Sequence, residues 1–145
     1  MLFRSLAPTA QRVGAVNTIE FTPDGRRVGH NTDLEGFGTA LHEFLTAADT
    51  AVPFSSIPLR ALILGRGGAA RAVETVLKAR GIPYWYVSRN PLAAGLAYEE
   101  LTSAILHQHR LIINTTPLGT WPDVDACPAL PYTALTPAQI GRAHV

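Results

Sequence analysis

Three stretches carry residue types and spacings that can do chemistry. The first is Leu62-Ile63-Leu64-Gly65-Arg66-Gly67-Gly68-Ala69-Ala70-Arg71. An apolar run stops at a glycine cluster, and Ala69, Val73, Val76 and Leu77 then recur at helical spacing, which reads as buried strand, tight turn and helix. Gly65-x-Gly67-x-x-Ala70 fits the dinucleotide fingerprint G-x-G-x-x-G/A. Gly65 makes the turn, Gly67 lets a pyrophosphate approach the backbone, and Ala70 lets the helix pack closely on its strand. With Gly68 and Ala69, the helix start then offers free N–H groups and partial positive charge to phosphates. An ordinary glycine-rich strand-to-helix turn would satisfy the same pattern.

The second stretch is Ser88-Arg89-Asn90, at the end of the next predicted strand. An NAD site places a carboxylate there for the ribose 2′-hydroxyl. This chain has none, and an arginine can hold a 2′-phosphate bidentately. Ser88 and Arg89 therefore favour NADP over NAD, the alternative being a surface arginine in a loop. Arg66, inside the glycine turn, either assists or faces solvent. The third stretch is Asn114-Thr115-Thr116-Pro117-Leu118-Gly119, after the following strand. Ligands of open α/β sheets bind outside the carboxyl ends of the strands, so Asn114, Thr115 and Thr116 are placed to border the cofactor, unless they form a plain turn. Two earlier residues stand apart. Asn17 is a polar amide in a predicted strand of β-branched neighbours, which needs a partner. Asp33 sits at a predicted helix start, where its carboxylate can accept from a hydroxylated substrate or orient a proton donor. Sheet-edge contact for Asn17 and capping for Asp33 are the structural alternatives.

The elements that must position these residues follow from pattern. Val13 to Phe21 reads as a strand, Pro23-Asp24-Gly25 as a turn and Arg26 to His30 as a return strand. Thr32 followed by Glu35 fits a capping box for a helix that ends near Ala47, with Leu34, Phe37, Leu41, Phe44 and Leu45 on one face. Asp49 to Pro58 reads as a linker. Then come a strand from Leu59 to Leu64, a helix to about Arg80 stopped by Gly81, a strand from Pro83 to Ser88, a helix from Ala97 to His107, and a strand from Leu111 to Asn114. Strands alternating with helices imply a parallel sheet, hence an α/β, Rossmann-type nucleotide-binding domain. A proline-rich, irregular segment follows Thr115.

Composition narrows the class. The 145 residues are 47% apolar and 16% charged, with formal net charge +1. That supports a real core and argues against nucleic acid as a partner, since no basic run or interleaved aromatics appear. One cysteine, Cys127, fits a reducing compartment, and no run reaches membrane-spanning length, so a cytoplasmic protein with no membrane partner is expected. His107-x-His109 lacks a third ligand nearby, and no metal is expected. Leu2 to Ser5 and Ile140 to Val145 read like translated adapter DNA. Residues 140–145 are expected to be a non-native tail, and the chain a fragment open at both ends.

Taken together, Gly14-Ala15-Val16-Asn17-Thr18 with Asn31-Thr32-Asp33, then Gly65-Arg66-Gly67-Gly68-Ala69-Ala70-Arg71, then Asn114-Thr115-Thr116-Pro117-Leu118-Gly119 resemble the shikimate dehydrogenase family, from about Val13 to Gln139. The resemblance implies a two-domain enzyme that reversibly reduces 3-dehydroshikimate to shikimate with NADPH. It implies that Asn17 binds substrate hydroxyls, that Asp33 holds substrate and pairs with a catalytic lysine, that Gly65 to Ala70 bind pyrophosphate and Arg89 the 2′-phosphate, and that Asn114 and Thr115 border the cofactor. It implies a substrate-domain remnant over residues 1–32 and an NADP-binding domain over 33–139, which includes a bridging helix. The family's lysine lies upstream of the Ala-Val-Asn-Thr motif, and the only lysine here is Lys78 on the helix after the glycines. Thr120 stands where the family more often has methionine. The expectation is an NADP-dependent shikimate dehydrogenase whose present chain does not turn over by itself. A non-catalytic NADP-binding module and an NAD-dependent quinate/shikimate dehydrogenase are the alternatives. Oligomeric state is left open.

Overall fold

The computed structural model describes residues 5–49 and 58–136. Their backbone forms two three-stranded sheets. In the first, β1 (Ser5–Leu6) pairs parallel with β3 (Arg27–His30), which pairs antiparallel with β2 (Thr18–Phe21). In the second, β4 (Ala61–Leu64) lies between β5 (Tyr84–Val87) and β6 (Leu111–Asn114), all parallel. This is the Rossmann-type α/β arrangement that the strand–helix alternation implies.

β4 explains the layering. Its residues alternate between the two sheet faces. Ala61 and Ile63 join a core with Val73, Val76 and Leu77 of α3 (Gly68–Ala79) and with Leu34, Phe37 and Leu41 of α2 (Asp33–Asp49). Leu62 and Leu64 face the other way, against Val87, Leu101 and Leu106, the last on α4 (Ser103–Gln108). Leu62, Ile63 and Leu64 are almost wholly buried, each worth about 1.5–3 kcal/mol relative to exposure. Helices therefore cover both faces, and the three strand ends converge on one edge.

Several expected elements differ. The strand expected from Val13 to Phe21 starts only at Thr18, because Pro8 to Val13 form helix α1. Pro8 at its start and Gly14 past its end, left-handed at φ 69°, with its N–H bonded to the Ala10 carbonyl, bracket that helix. Asn17 is thus in a loop, not a strand. The expected hairpin is otherwise present, with Thr18 opposite His30 and Phe21 opposite Arg27. The start of α2 is capped by Asn31, whose Oδ1 accepts from the Leu34 N–H at 3.1 Å. The Thr32 hydroxyl instead points to Asn17 Oδ1 at 3.4 Å, so the expected Thr32–Glu35 capping box is not the one used. α2 runs to Asp49 rather than ending near Ala47.

The helix expected from Ala97 to His107 is broken. A 3-10 turn covers Tyr98–Glu100, and α4 starts after Thr102, whose hydroxyl accepts from the Ile105 N–H at 3.3 Å. A threonine cap interrupts what periodicity alone joins. α3 ends as expected, with Gly81 at φ 66° just beyond it. The interior of the expected linker, residues 50–57, lies outside the described residues, as do residues 1–4 and 137–145 with the suspected foreign tail. Ser5 is described and opens β1.

Candidate active site

Each strand of the parallel sheet ends in one of the stretches that sequence singled out. Gly65 follows β4 at φ 104°, and a Cβ there would lie 2.9 Å from Thr115 Oγ1. Only glycine suits both that dihedral and that approach. The crowding has a cause on β6: the Thr115 hydroxyl donates to the Leu64 carbonyl at 2.6 Å and its N–H donates to the same oxygen at 3.0 Å. Gly67 has the opposite surroundings. It caps α3 in extended backbone, and a Cβ there would meet nothing within 4 Å. The turn is tight underneath and open above, the shape a phosphate needs beside a helix start. Ala70 is fully buried against the sheet.

The three strand ends enclose a cleft of about 540 Å³. Gly65, Arg66 and Gly67 form one wall, Ser88, Arg89 and Asn90 a second, and Thr115, Thr116, Pro117 and Leu118 a third. Arg66 donates from Nη1 to the Asn90 carbonyl at 2.9 Å, joining the first two walls. Arg66 is thus exposed and in the cleft at once. Arg89 is exposed and makes no hydrogen bond or ion pair with another described residue. Ser88 Oγ is buried with no hydrogen-bond partner among the described residues. No carboxylate is among the described residues that line the cleft. An orphaned hydroxyl, an uncommitted guanidinium and an open glycine turn fit a phosphorylated nucleotide.

Not every candidate is in this cleft. Gly68, Ala69, Ala70 and Asn114 do not line it. Gly68 faces the loop after α1, where a Cβ would come 3.3 Å from that of Ala15. Asn114 is buried and shapes the third wall from within: Oδ1 accepts from the Thr116 N–H and hydroxyl at 3.0 and 2.6 Å, while Nδ2 donates to the Leu118 carbonyl at 3.1 Å. Sequence reasoning missed Tyr98, Cys127 and Ala129, which complete the lining. Tyr98 falls where a continuous helix is expected, and the other two lie in the irregular proline-rich segment, where no periodicity marks an inward side. Burial pushes the Tyr98 phenol above its ordinary value, so it stays a neutral hydrogen-bonding group.

Asn17 and Asp33 form a second group beside the first sheet. Asn17 Oδ1 accepts from the Thr32 N–H at 3.1 Å and from the Thr18 hydroxyl at 3.1 Å, and its own N–H donates to the His30 carbonyl at 3.0 Å. Its Nδ2 has no partner among the described residues. The Asp33 carboxylate, half-buried at the start of α2, makes no hydrogen bond or ion pair with a described residue. One hydrogen bond ties this group to the helix that the glycine turn opens, and another holds the group together. Arg71 Nη1, on the first turn of α3, donates to the Gly14 carbonyl at 3.0 Å. Asn31, almost wholly buried, donates to the Ala15 carbonyl at 3.3 Å while it caps α2.

The other singled-out groups have structural partners. Lys78 is 2.9 Å from Glu74 on α3, with its side chain 63% exposed, away from the cleft. His107 Nε2 meets the Ala134 carbonyl at 3.2 Å, and His109 Nδ1 meets the Ile105 carbonyl at 2.7 Å beneath Trp85. His30 pairs with Glu20.

No family model matches the chain. Curated relatives do. Shikimate dehydrogenase (NADP(+)) of Desulforamulus reducens is 34% identical over 93% of this chain and 50% of its own length. The protein of the same name from Acidiphilium cryptum is 41% identical over 79% of this chain and 41% of its length. Among solved structures, shikimate 5-dehydrogenase of Thermus thermophilus, in complex with NADP(H) and shikimate, matches at 34% identity with a TM-score of 0.59, over 91% of this chain and 48% of its own. The chain spans about half the length of the curated relatives it matches. The likeness drawn from the three motifs is therefore matched in sequence and in fold: over about half of their length, proteins named shikimate dehydrogenase (NADP(+)) are what this chain is similar to.

Proposed function

We propose that the chain carries the NADP-binding part, and part of the substrate-binding part, of an enzyme that reversibly reduces 3-dehydroshikimate to shikimate. The observation that carries this reading is the cleft itself. Its open glycine turn faces an uncommitted Arg89 and no described carboxylate. The names of the relatives support the same cofactor and substrate. We propose the division at Thr32 and Asp33, with α2 counted in the nucleotide-binding part because Leu34, Phe37 and Leu41 pack into its core.

In this reading the backbone of Gly65 to Ala70 receives the pyrophosphate, with Gly67 supplying the clearance. Arg89 takes the 2′-phosphate, and Ser88 bonds the adenosine ribose. Thr115 and Thr116, fixed by the Leu64 carbonyl and by Asn114, border the nicotinamide half. Bound NADPH supplies the hydride. Asn17, its oxygen already committed to Thr32, offers Nδ2 to a substrate hydroxyl. Asp33 offers an acceptor to a second hydroxyl or holds the ammonium of a catalytic lysine. Lys78, the only lysine in the sequence, is paired on α3 outside the cleft and cannot serve. Losing a proton-relaying group commonly costs about 10²–10⁴-fold in rate, so the chain as given should bind the cofactor and not turn over.

The test is NADP⁺-linked oxidation of shikimate by this chain, and by the same chain joined to the coding sequence upstream of it. The reading expects turnover only in the second. Turnover by the chain alone at the rate of the longer protein would refute the assignment of a missing lysine. A longer protein that binds NADP⁺ yet never oxidises shikimate would favour a non-catalytic NADP-binding module. The Ser88-Arg89 pair disfavours an NAD-dependent quinate/shikimate dehydrogenase, which should have a carboxylate at that strand end.

A further inference from the structure

We propose that Arg66 is a second specificity-determining residue for the phosphorylated dinucleotide, resting on the reading of this cleft as the NADP site. Two observations carry it. Arg66 stands on the glycine turn after β4, yet its Nη1 donates across the cleft to the Asn90 carbonyl at 2.9 Å. Asn90 is the residue after Arg89, so this bond fixes the backbone of the very loop that presents Arg89. The second observation is charge. Both guanidiniums line the cleft and no described lining residue carries a carboxylate to neutralise them.

A guanidinium has five donors in a rigid fork, and the bond to Asn90 uses one of its terminal nitrogens. The remaining donors are free to meet an anion. The free protein therefore holds two like charges at one cleft, a cost that a 2′-phosphate relieves and a 2′-hydroxyl does not. Arg66 thus acts twice: as a strap that orders the loop after β5, and as a second cation for the 2′-phosphate. A glycine turn needs no particular side chain between its two glycines, so an arginine there is free to serve specificity.

The experiment is calorimetric titration of the chain with NADP⁺ and NAD⁺ at low and at 0.5 M salt, for wild type, Arg66→Gln, Arg66→Lys and Arg89→Ala. Hydrogen bonds to charged groups give the scale: Arg66→Gln should weaken NADP⁺ roughly 10-fold while NAD⁺ changes less than about two-fold. Arg66→Lys, which keeps the charge, should retain most of the preference, and salt should erode it more in wild type than in Arg66→Gln. Arg66 is exposed, so the variants should share the wild-type melting temperature. An unchanged NADP⁺/NAD⁺ ratio in Arg66→Gln would overturn the inference while leaving the cofactor reading intact. Wild type without NADP⁺ preference, or with no binding of either, would overturn both. Loss of preference in Arg89→Ala with no effect of Arg66→Gln would assign the discrimination to Arg89 alone.

Discussion

Changing Gly65 to alanine tests the glycine turn as a physical object, independently of any ligand. The backbone at φ 104° is strained for a residue with a Cβ, and the new carbon would lie 2.9 Å from Thr115 Oγ1 and 3.2 Å from Thr116 Cγ2. The dihedral costs about 1–3 kcal/mol. Pushing Thr115 aside also breaks its 2.6 Å bond to the Leu64 carbonyl, about 0.5–1.5 kcal/mol more. The sum is about 1.5–4.5 kcal/mol of folding stability, read by urea denaturation. In a Thr115→Ala background the clash with the hydroxyl is gone, so Gly65→Ala should cost less there by about 0.5–1.5 kcal/mol. Gly67→Ala is the counterpart. With open space around it, it should cost about 1 kcal/mol or less, yet weaken NADP⁺ about 10-fold or more, since its Cβ would occupy the space assigned to phosphate. Equal stability costs for the two glycines, or a Gly65→Ala cost that ignores residue 115, would refute the reasoning.

Three further outcomes are expected. Asn31→Ala removes a helix cap and a donor to the Ala15 carbonyl; it should cost about 2–3 kcal/mol, and Asn31→Asp, which keeps the cap acceptor, should recover part of that in the same denaturation assay. Burial holds the His109 imidazole below its ordinary value, so the unfolded chain takes up that proton first; this contribution to stability should be full above about pH 6.5 and decline as pH falls below it, and His109→Gln should flatten the slope below about pH 6.5. Arg71→Ala should cost about 1 kcal/mol or less, the bond to Gly14 being exposed, and should speed proteolysis within the Gly14–Asn17 loop, measured by mass spectrometry.

The parallel sheet and its glycine turn were legible because each local signal agreed with the next: β4 is apolar throughout, and small residues mark the turn and Gly81 the helix end. The N-terminal part misled where two signals competed. Val16, Thr18, Ile19 and Phe21 suggest one long strand from Val13, whereas Pro8 and Gly14, unread in the sequence, bracket a six-residue helix. Asn31, Thr32 and Asp33 were all visible, but which side chain caps α2 depends on Asn17 occupying the Thr32 hydroxyl, a contact 15 residues away in sequence. The lining by Tyr98, Cys127 and Ala129 arises from how an irregular segment folds back over the strand ends, which no period encodes.

The central claim is that the cleft at the ends of β4, β5 and β6 recognises a 2′-phosphorylated dinucleotide. Its most direct test is the ratio of NADP⁺ to NAD⁺ affinity of this chain at low salt, measured in wild type and in Arg89→Ala. The account predicts that wild type prefers NADP⁺ by about 10–100-fold, the scale of charge-assisted hydrogen bonds, and that Arg89→Ala loses most of that preference with NAD⁺ binding little changed. Equal affinities in wild type would contradict it.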